Sequence, residues 1–268
     1  MIELIQITND PAFARRCDAL AGVRLFVDLE RLGKAERQAG RNTFISAHQV
    51  GDIATVKAQL QRSRLMVRVN PLNTSTRDEV EAVLQAGADM LMLPMFRETA
   101  QLREFIDLVA GRAPVVALLE TAAALESMRK WIATPGLAEV YVGLNDLHLS
   151  LGQHFMFEPL ADGIVDRVAA AARAQGVNFG FGGIARLDEG LLPGSDVLAE
   201  HLRLGSRSVI LSRTFHRSES VQTFESEVAA FRETEAALAL RPPQQVLADS
   251  RRIAARIEAI AHELRRRA

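Results

Sequence analysis

Eight short apolar runs recur along the chain, and their form restricts its folding more than any other feature. They are IELIQI (2–7), VRLFVDL (23–29), LMVRV (65–69), MLMLP (90–94), VVALLE (115–120), VYVGL (140–144), VNFGFGG (177–183) and SVILS (208–212). Each is continuous rather than alternating, as parallel strands buried on both faces require, and helical patterns lie between them. One such pattern carries Val80, Val83 and Leu84 at helical spacing and stops at Gly87, and another runs from Ala161 to a stop at Gly176. A doubly wound open sheet uses the same alternation, but the first run lacks the G-x-G-x-x-G turn of that fold. Eight units and 268 residues suit a (β/α)₈ TIM barrel, for which about 250 residues is usual.

The predicted organisation is a barrel over residues 1–217 and a helical extension over 218–268. In the extension Val221, Phe224, Val228, Phe231 and Leu238 mark one apolar helix face, and Pro242 and Pro243 break the chain. Ile253, Ile257, Ile260 and Leu264 then form a second stripe. Such a stripe needs a partner, and a neighbouring subunit is the expected one, so the chain reads as a homo-oligomer built through its C-terminal helices.

Composition narrows the function classes. Lys plus Arg total 32 against 33 Asp plus Glu, a net charge of −1 that offers no footprint for nucleic acid. Cys17 is the only cysteine, so neither an internal disulfide nor a thiolate metal cluster is available. The opening MIELIQITNDP has no basic stretch leading into a long apolar run, and no segment reaches the roughly 18 apolar residues of a membrane span. The expectation is a cytoplasmic enzyme without a membrane partner.

In a barrel of this kind, polar residues ending apolar strands converge on one face. They are Asp28 and Glu30 at the end of the second run, Arg68 and Asn70 at that of the third, Glu120 and Thr121 at that of the fifth, and Asn145 and Asp146 at that of the sixth. Two carboxylates, Glu120 and Asp146, on consecutive strands suit Mg²⁺ or Mn²⁺, with water or substrate filling the other positions. Each could instead cap a helix or pair with an arginine. Arg68 interrupts an apolar run and must face a carboxylate, either Asp28 or Glu30 of the chain or that of a substrate. Gly180, Gly182 and Gly183 make a glycine-rich exit where amides could meet an anion, a weak motif.

The segments FVDLE with the downstream GKAERQAGR, then RVN, GADMLMLP, ALLETAAAL and YVGLNDLHLSLG stand in an order and spacing that resembles the HpcH/HpaI aldolase and citrate lyase β-subunit family. The resemblance implies metal ligation by Glu120 and Asp146 and substrate binding by Arg68, with Asp28, Asn70, Gly143 and Asn145 as neighbours. It further implies a class II aldolase or lyase that forms the enolate of pyruvate or a related 2-oxo acid, with an aldehyde as second substrate. Two positions depart from the pattern. Arg31 stands where such aldolases commonly carry an acid–base histidine, which leaves His48, His148 or a metal-bound water near Glu30 as candidates. Met95 stands where a basic residue often follows the fourth strand. DLE with GKAERQAGR is also similar to the acyl-CoA lyase branch, so a CoA thioester lyase or hydrolase is the alternative, and a barrel that binds without catalysis is a third reading.

Overall fold

The computed structural model describes residues 1–33, 46–212, 215 and 223–267. Most of GKAERQAGR, Val221 and the expected boundary at 217/218 therefore lie outside the described residues. Every apolar run overlaps a strand: β1 (Glu3–Ile7), β2 (Val23–Asp28), β3 (Leu65–Arg68), β4 (Met90–Leu93), β5 (Val115–Leu119), β6 (Leu137–Val142, which starts three residues before its run), β7 (Asn178–Ile184) and β8 (Ser208–Leu211). They form a closed barrel in the order β1 to β8, with helices between strands and two more at the C-terminal end. The TIM-barrel expectation holds. Among the described residues, no helix is long and apolar enough to cross a membrane.

Residues 5–141 make one compact unit. Within it β2, β3, β4 and β5 pair in parallel, and the register sets Asp28 beside Arg68 and Arg68 beside Met92. Side chains two residues apart share a strand face, so Arg24, Phe26 and Asp28 point the same way. Arg24 on β2 and Glu139 on β6 meet at 2.9 Å with 3% and 1% of their side chains exposed. Strands four places apart in the order meet only across the barrel interior, so this is an ion pair in the core.

Residues 1–4 with 142–268 make the other unit. Here β7 pairs with β8 through a register shift between Gly180 and Gly183. Gly182 lies at φ +59°, and a Cβ there would stand 2.9 Å from Cδ1 of Leu144. A left-handed backbone and close packing thus account for one of the glycines suspected of meeting an anion.

The helix Phe224–Ala239 buries Phe224, Val228 and Phe231. It is tied to the chain's start, with the Ile2 amide donating to Glu235 at 2.6 Å and Arg232 donating to the Ile2 carbonyl at 2.7 Å. The helix Pro243–Arg267 buries Ile253 and Ile257 in the same unit, against the helices Gly194–Leu204 and Glu158–Ala161. Arg252 reinforces this packing by donating to Asp196 at 2.7 Å. Ile253 and Ile257 are thus covered within their own chain, while Ile260 and Leu264 of the same stripe are half-buried.

His201, on Gly194–Leu204, is fully buried and stacks on Phe181 with ring centroids 3.8 Å apart. The Ser206 hydroxyl donates to the Ser208 carbonyl, so it accepts from Nδ1–H of His201 at 2.8 Å. Nε2 is left without a hydrogen-bond partner. Burial pushes the imidazole pKa down to about 3. As pH falls below about 6.5 the unfolded chain binds a proton here and the folded chain does not, so stability should fall by about 1.4 kcal/mol per unit until pH nears the folded value. Denaturation of His201→Gln is expected to lack this acid sensitivity. Parallel stability curves for the two proteins between pH 7 and 5 would refute the assignment.

Candidate active site

The exits of β2, β3 and β5 bring Asp28, Glu30, Arg68 and Glu120 into one electrostatic cluster. Arg68 Nε and Nη2 donate to Oδ1 and Oδ2 of Asp28, both at 2.8 Å, in a bidentate fork. Its Nη1 stands 3.3 Å from Oε2 of Glu30, and its guanidinium carbon lies 5.7 Å from the Phe26 ring centroid. Burial alone would lower the arginine's pKa. The charges of Asp28, Glu30 and Glu120, with the Asp28 hydrogen bonds, outweigh it and hold the group well above its ordinary value. Both acids that sequence offered as internal partners are therefore engaged. An arginine carries five N–H groups, and about two remain for a substrate anion after these contacts.

Asp28, Glu30 and Glu120 are 4%, 2% and 3% exposed. Three buried carboxylates gather around one guanidinium, a set of hard oxygen donors of the kind a divalent cation takes. Among the described residues no group of three or more His, Cys, Asp or Glu side chains forms a ready metal cage. Oε1 of Glu120 accepts from the Met95 backbone N–H at 2.9 Å.

Asn70 is engaged within the chain through both polar atoms of its side-chain amide. Its Oδ1 accepts from the amides of Arg31 and Leu32 at 2.9 and 3.1 Å, and its Nδ2 donates to Glu79 at 2.8 Å. It braces the β2 exit against the β3 exit. Burial raises the Glu79 carboxyl's pKa, partly opposed by the bonds from Asn70.

His48 reaches the cluster, but in a form that does not suit a base. Its Nδ1 accepts from the Asp28 backbone N–H at 3.1 Å, which leaves the ring hydrogen on Nε2 and makes that atom a donor. Arg31, the residue in place of an expected histidine, donates from Nη2 to the carbonyls of Ala47 and His48 at 3.1 and 2.8 Å. It clamps the segment that delivers His48.

In the other unit, Gly143 is the N-cap of the helix Leu144–Ser150, whose first turn holds Asn145 and Asp146, both half-buried. His148 turns Nδ1 back onto the Leu144 carbonyl at 3.0 Å in its own helix. Sequence reasoning missed the Met95 amide, the Arg31 clamp and the Glu79 brace. The first is a backbone group, invisible in residue type. The other two act through local hydrogen bonds that no spacing announces.

A model of the family described as HpcH/HpaI aldolase/citrate lyase matches residues 8–181, more than half of the chain. The chain belongs to this family. Among curated relatives, the HpcH/HpaI chain is 32% identical over 114 residues to a (3S)-malyl-CoA thioesterase of Cereibacter sphaeroides, covering 42% of this chain and 40% of the relative. It thus spans about two fifths of the length of that relative. An HpcH/HpaI aldolase/citrate lyase family protein from Burkholderia cenocepacia has the same fold at 18% identity, with 90% of this chain and 95% of that one covered and a TM-score of 0.62. CitE from Mycobacterium tuberculosis, solved with magnesium and acetate, is 17% identical over 93% and 95% of the chains, with a TM-score of 0.60.

Proposed function

We propose that this chain makes or cleaves a carbon–carbon bond through the enolate of a small 2-oxo acid, with an aldehyde as the other reactant. The observation carrying this reading is the gathering of three buried carboxylates, Asp28, Glu30 and Glu120, around Arg68. Hard oxygen donors suit Mg²⁺ or Mn²⁺. Glu120 is proposed as one ligand, and Asp146 as the second on the strength of the NDL motif. A cation held there would supply Lewis-acid polarisation of the keto oxygen. Magnesium in CitE and membership of the family support the choice.

Arg68 directs its remaining N–H groups at the substrate carboxylate and offsets charge that develops on the enolate oxygen. Asp28 holds the guanidinium plane, so the donors are oriented before substrate arrives. Glu30 is assigned the proton transfer at the reacting carbon. His48 is assigned a donor role through Nε2–H, in place of the base role expected from sequence.

Arg68→Lys should lower kcat/KM on the order of a hundredfold, because an ammonium cannot fill two carboxylate contacts and face a substrate in one plane. Steady-state kinetics on the purified variant check this, and a wild-type value would make Arg68 structural.

A second reading is favoured by the malyl-CoA thioesterase relative: cleavage of a CoA thioester on the same scaffold. The two separate in one experiment. The protein is supplied with Mg²⁺ and either a 4-hydroxy-2-oxo acid or malyl-CoA, and pyruvate and free thiol are both assayed. Pyruvate release from the first is expected. Thiol release from malyl-CoA without pyruvate from the oxo acid would transfer the assignment to thioester chemistry.

A further inference from the structure

Among the described residues only Met95 and Ala110 combine a side chain with positive φ, at +56° and +52°. Ala110 has an ordinary reason, since it is the C-cap of the helix Thr99–Val109 and returns its amide to the Ile106 carbonyl. Met95 ends no helix. It follows β4 and Pro94, in a conformation that a side chain adopts only when its surroundings enforce it.

Those surroundings are two consecutive residues of the β5 exit. Oε1 of Glu120 accepts the Met95 N–H at 2.9 Å, and the Thr121 hydroxyl donates to the Phe96 carbonyl at 2.8 Å. The same hydroxyl accepts the Ala124 amide at 3.1 Å, which anchors it as the N-cap of the helix Ala122–Glu126. Residues 95 and 96 are thus held by the acid and by the residue next to it. A carboxylate fixed at one oxygen by an amide has a set plane, and the direction of its other oxygen is set with it.

We propose that Met95 is a positioning residue, whose left-handed backbone turns its N–H onto Glu120 and sets the orientation in which that carboxylate meets a cation. The proposal rests on the reading of Glu120 given above. Its side chain does not carry the effect, so residue type matters only through φ. Glycine tolerates the conformation, and a β-branched residue resists it.

Two measurements test this on the full chain. With ¹⁵N-methionine the protein has only seven labelled residues, and Met95→Leu identifies the Met95 amide by its loss. That amide is expected to exchange slowly with solvent and to exchange faster, with a shifted resonance, in Glu120→Ala, which removes its acceptor. Unchanged exchange and shift in Glu120→Ala would overturn the proposal whatever the enzyme does. Calorimetric Mn²⁺ binding is the second readout. Met95→Ile should weaken it about tenfold while Met95→Gly stays close to wild type. Met95→Ile should also add no further loss to Glu120→Ala, which leaves no carboxylate for the Met95 amide to orient. Equal losses in the isoleucine and glycine variants, or a further full loss in the double variant, would make Met95 structural only. Should Glu120→Gln bind Mn²⁺ as tightly as wild type, the metal reading falls, while the methionine spectrum still decides whether Met95 holds Glu120.

Discussion

Glu120→Gln is expected to cut turnover on the order of a hundredfold or more while the protein remains folded. The substitution keeps the shape of the side chain and an oxygen that can accept the Met95 amide. It removes one of three buried carboxylates that share the Arg68 guanidinium. Removing its charge relieves repulsion with the neighbouring Asp28 and Glu30, so the melting temperature should hold or rise. Activity lost together with stability gained is the signature of a group kept for chemistry rather than for folding. Asp146→Asn should behave likewise in turnover. Thermal unfolding and steady-state rates on the same preparation check both halves, and a destabilised but active Glu120→Gln protein would reverse the argument.

Glu139→Leu should cost about 3–5 kcal/mol of stability, the largest effect expected outside the site. Arg24 and Glu139 meet across the barrel interior with almost no exposure, and removing the acid leaves a guanidinium buried in the core without its ion-pair partner. Replacing both, as Arg24→Met with Glu139→Leu, should recover most of the loss, because no charge then stays buried. Chemical denaturation of the three variants measures this. Additive losses in the double variant would show that the two residues do not act as a pair.

The barrel was legible because continuous apolar runs bounded by helical patterns have few other uses, and each of β1 through β8 overlaps one of the runs. In the C-terminal stripe Ile253 and Ile257 announce burial, but periodicity is silent on whether the covering surface belongs to the same chain, and for these two it does. At the site, Asp28, Glu30, Arg68 and Glu120 could be found because charged residues ending apolar strands need a reason to be there. Asn70 looked similar, and the structure adds that its amide oxygen accepts from Arg31 and Leu32 while Nδ2 donates to Glu79. His48 was found by residue type, but the direction of its hydrogen bond, which decides between donor and base, depends on where the Asp28 amide points. Positive φ at Met95 had no sequence signal, since methionine is not a residue that favours it.

Exchange of pyruvate methyl protons with deuterated water, followed by proton NMR, tests the proposed chemistry most directly, since enolisation needs no knowledge of the aldehyde. The account predicts that Mg²⁺ and the wild-type chain together accelerate exchange, and that Glu120→Gln and Arg68→Lys do so far less. Exchange no faster than in buffer, or equally fast in wild type and Glu120→Gln, would contradict it.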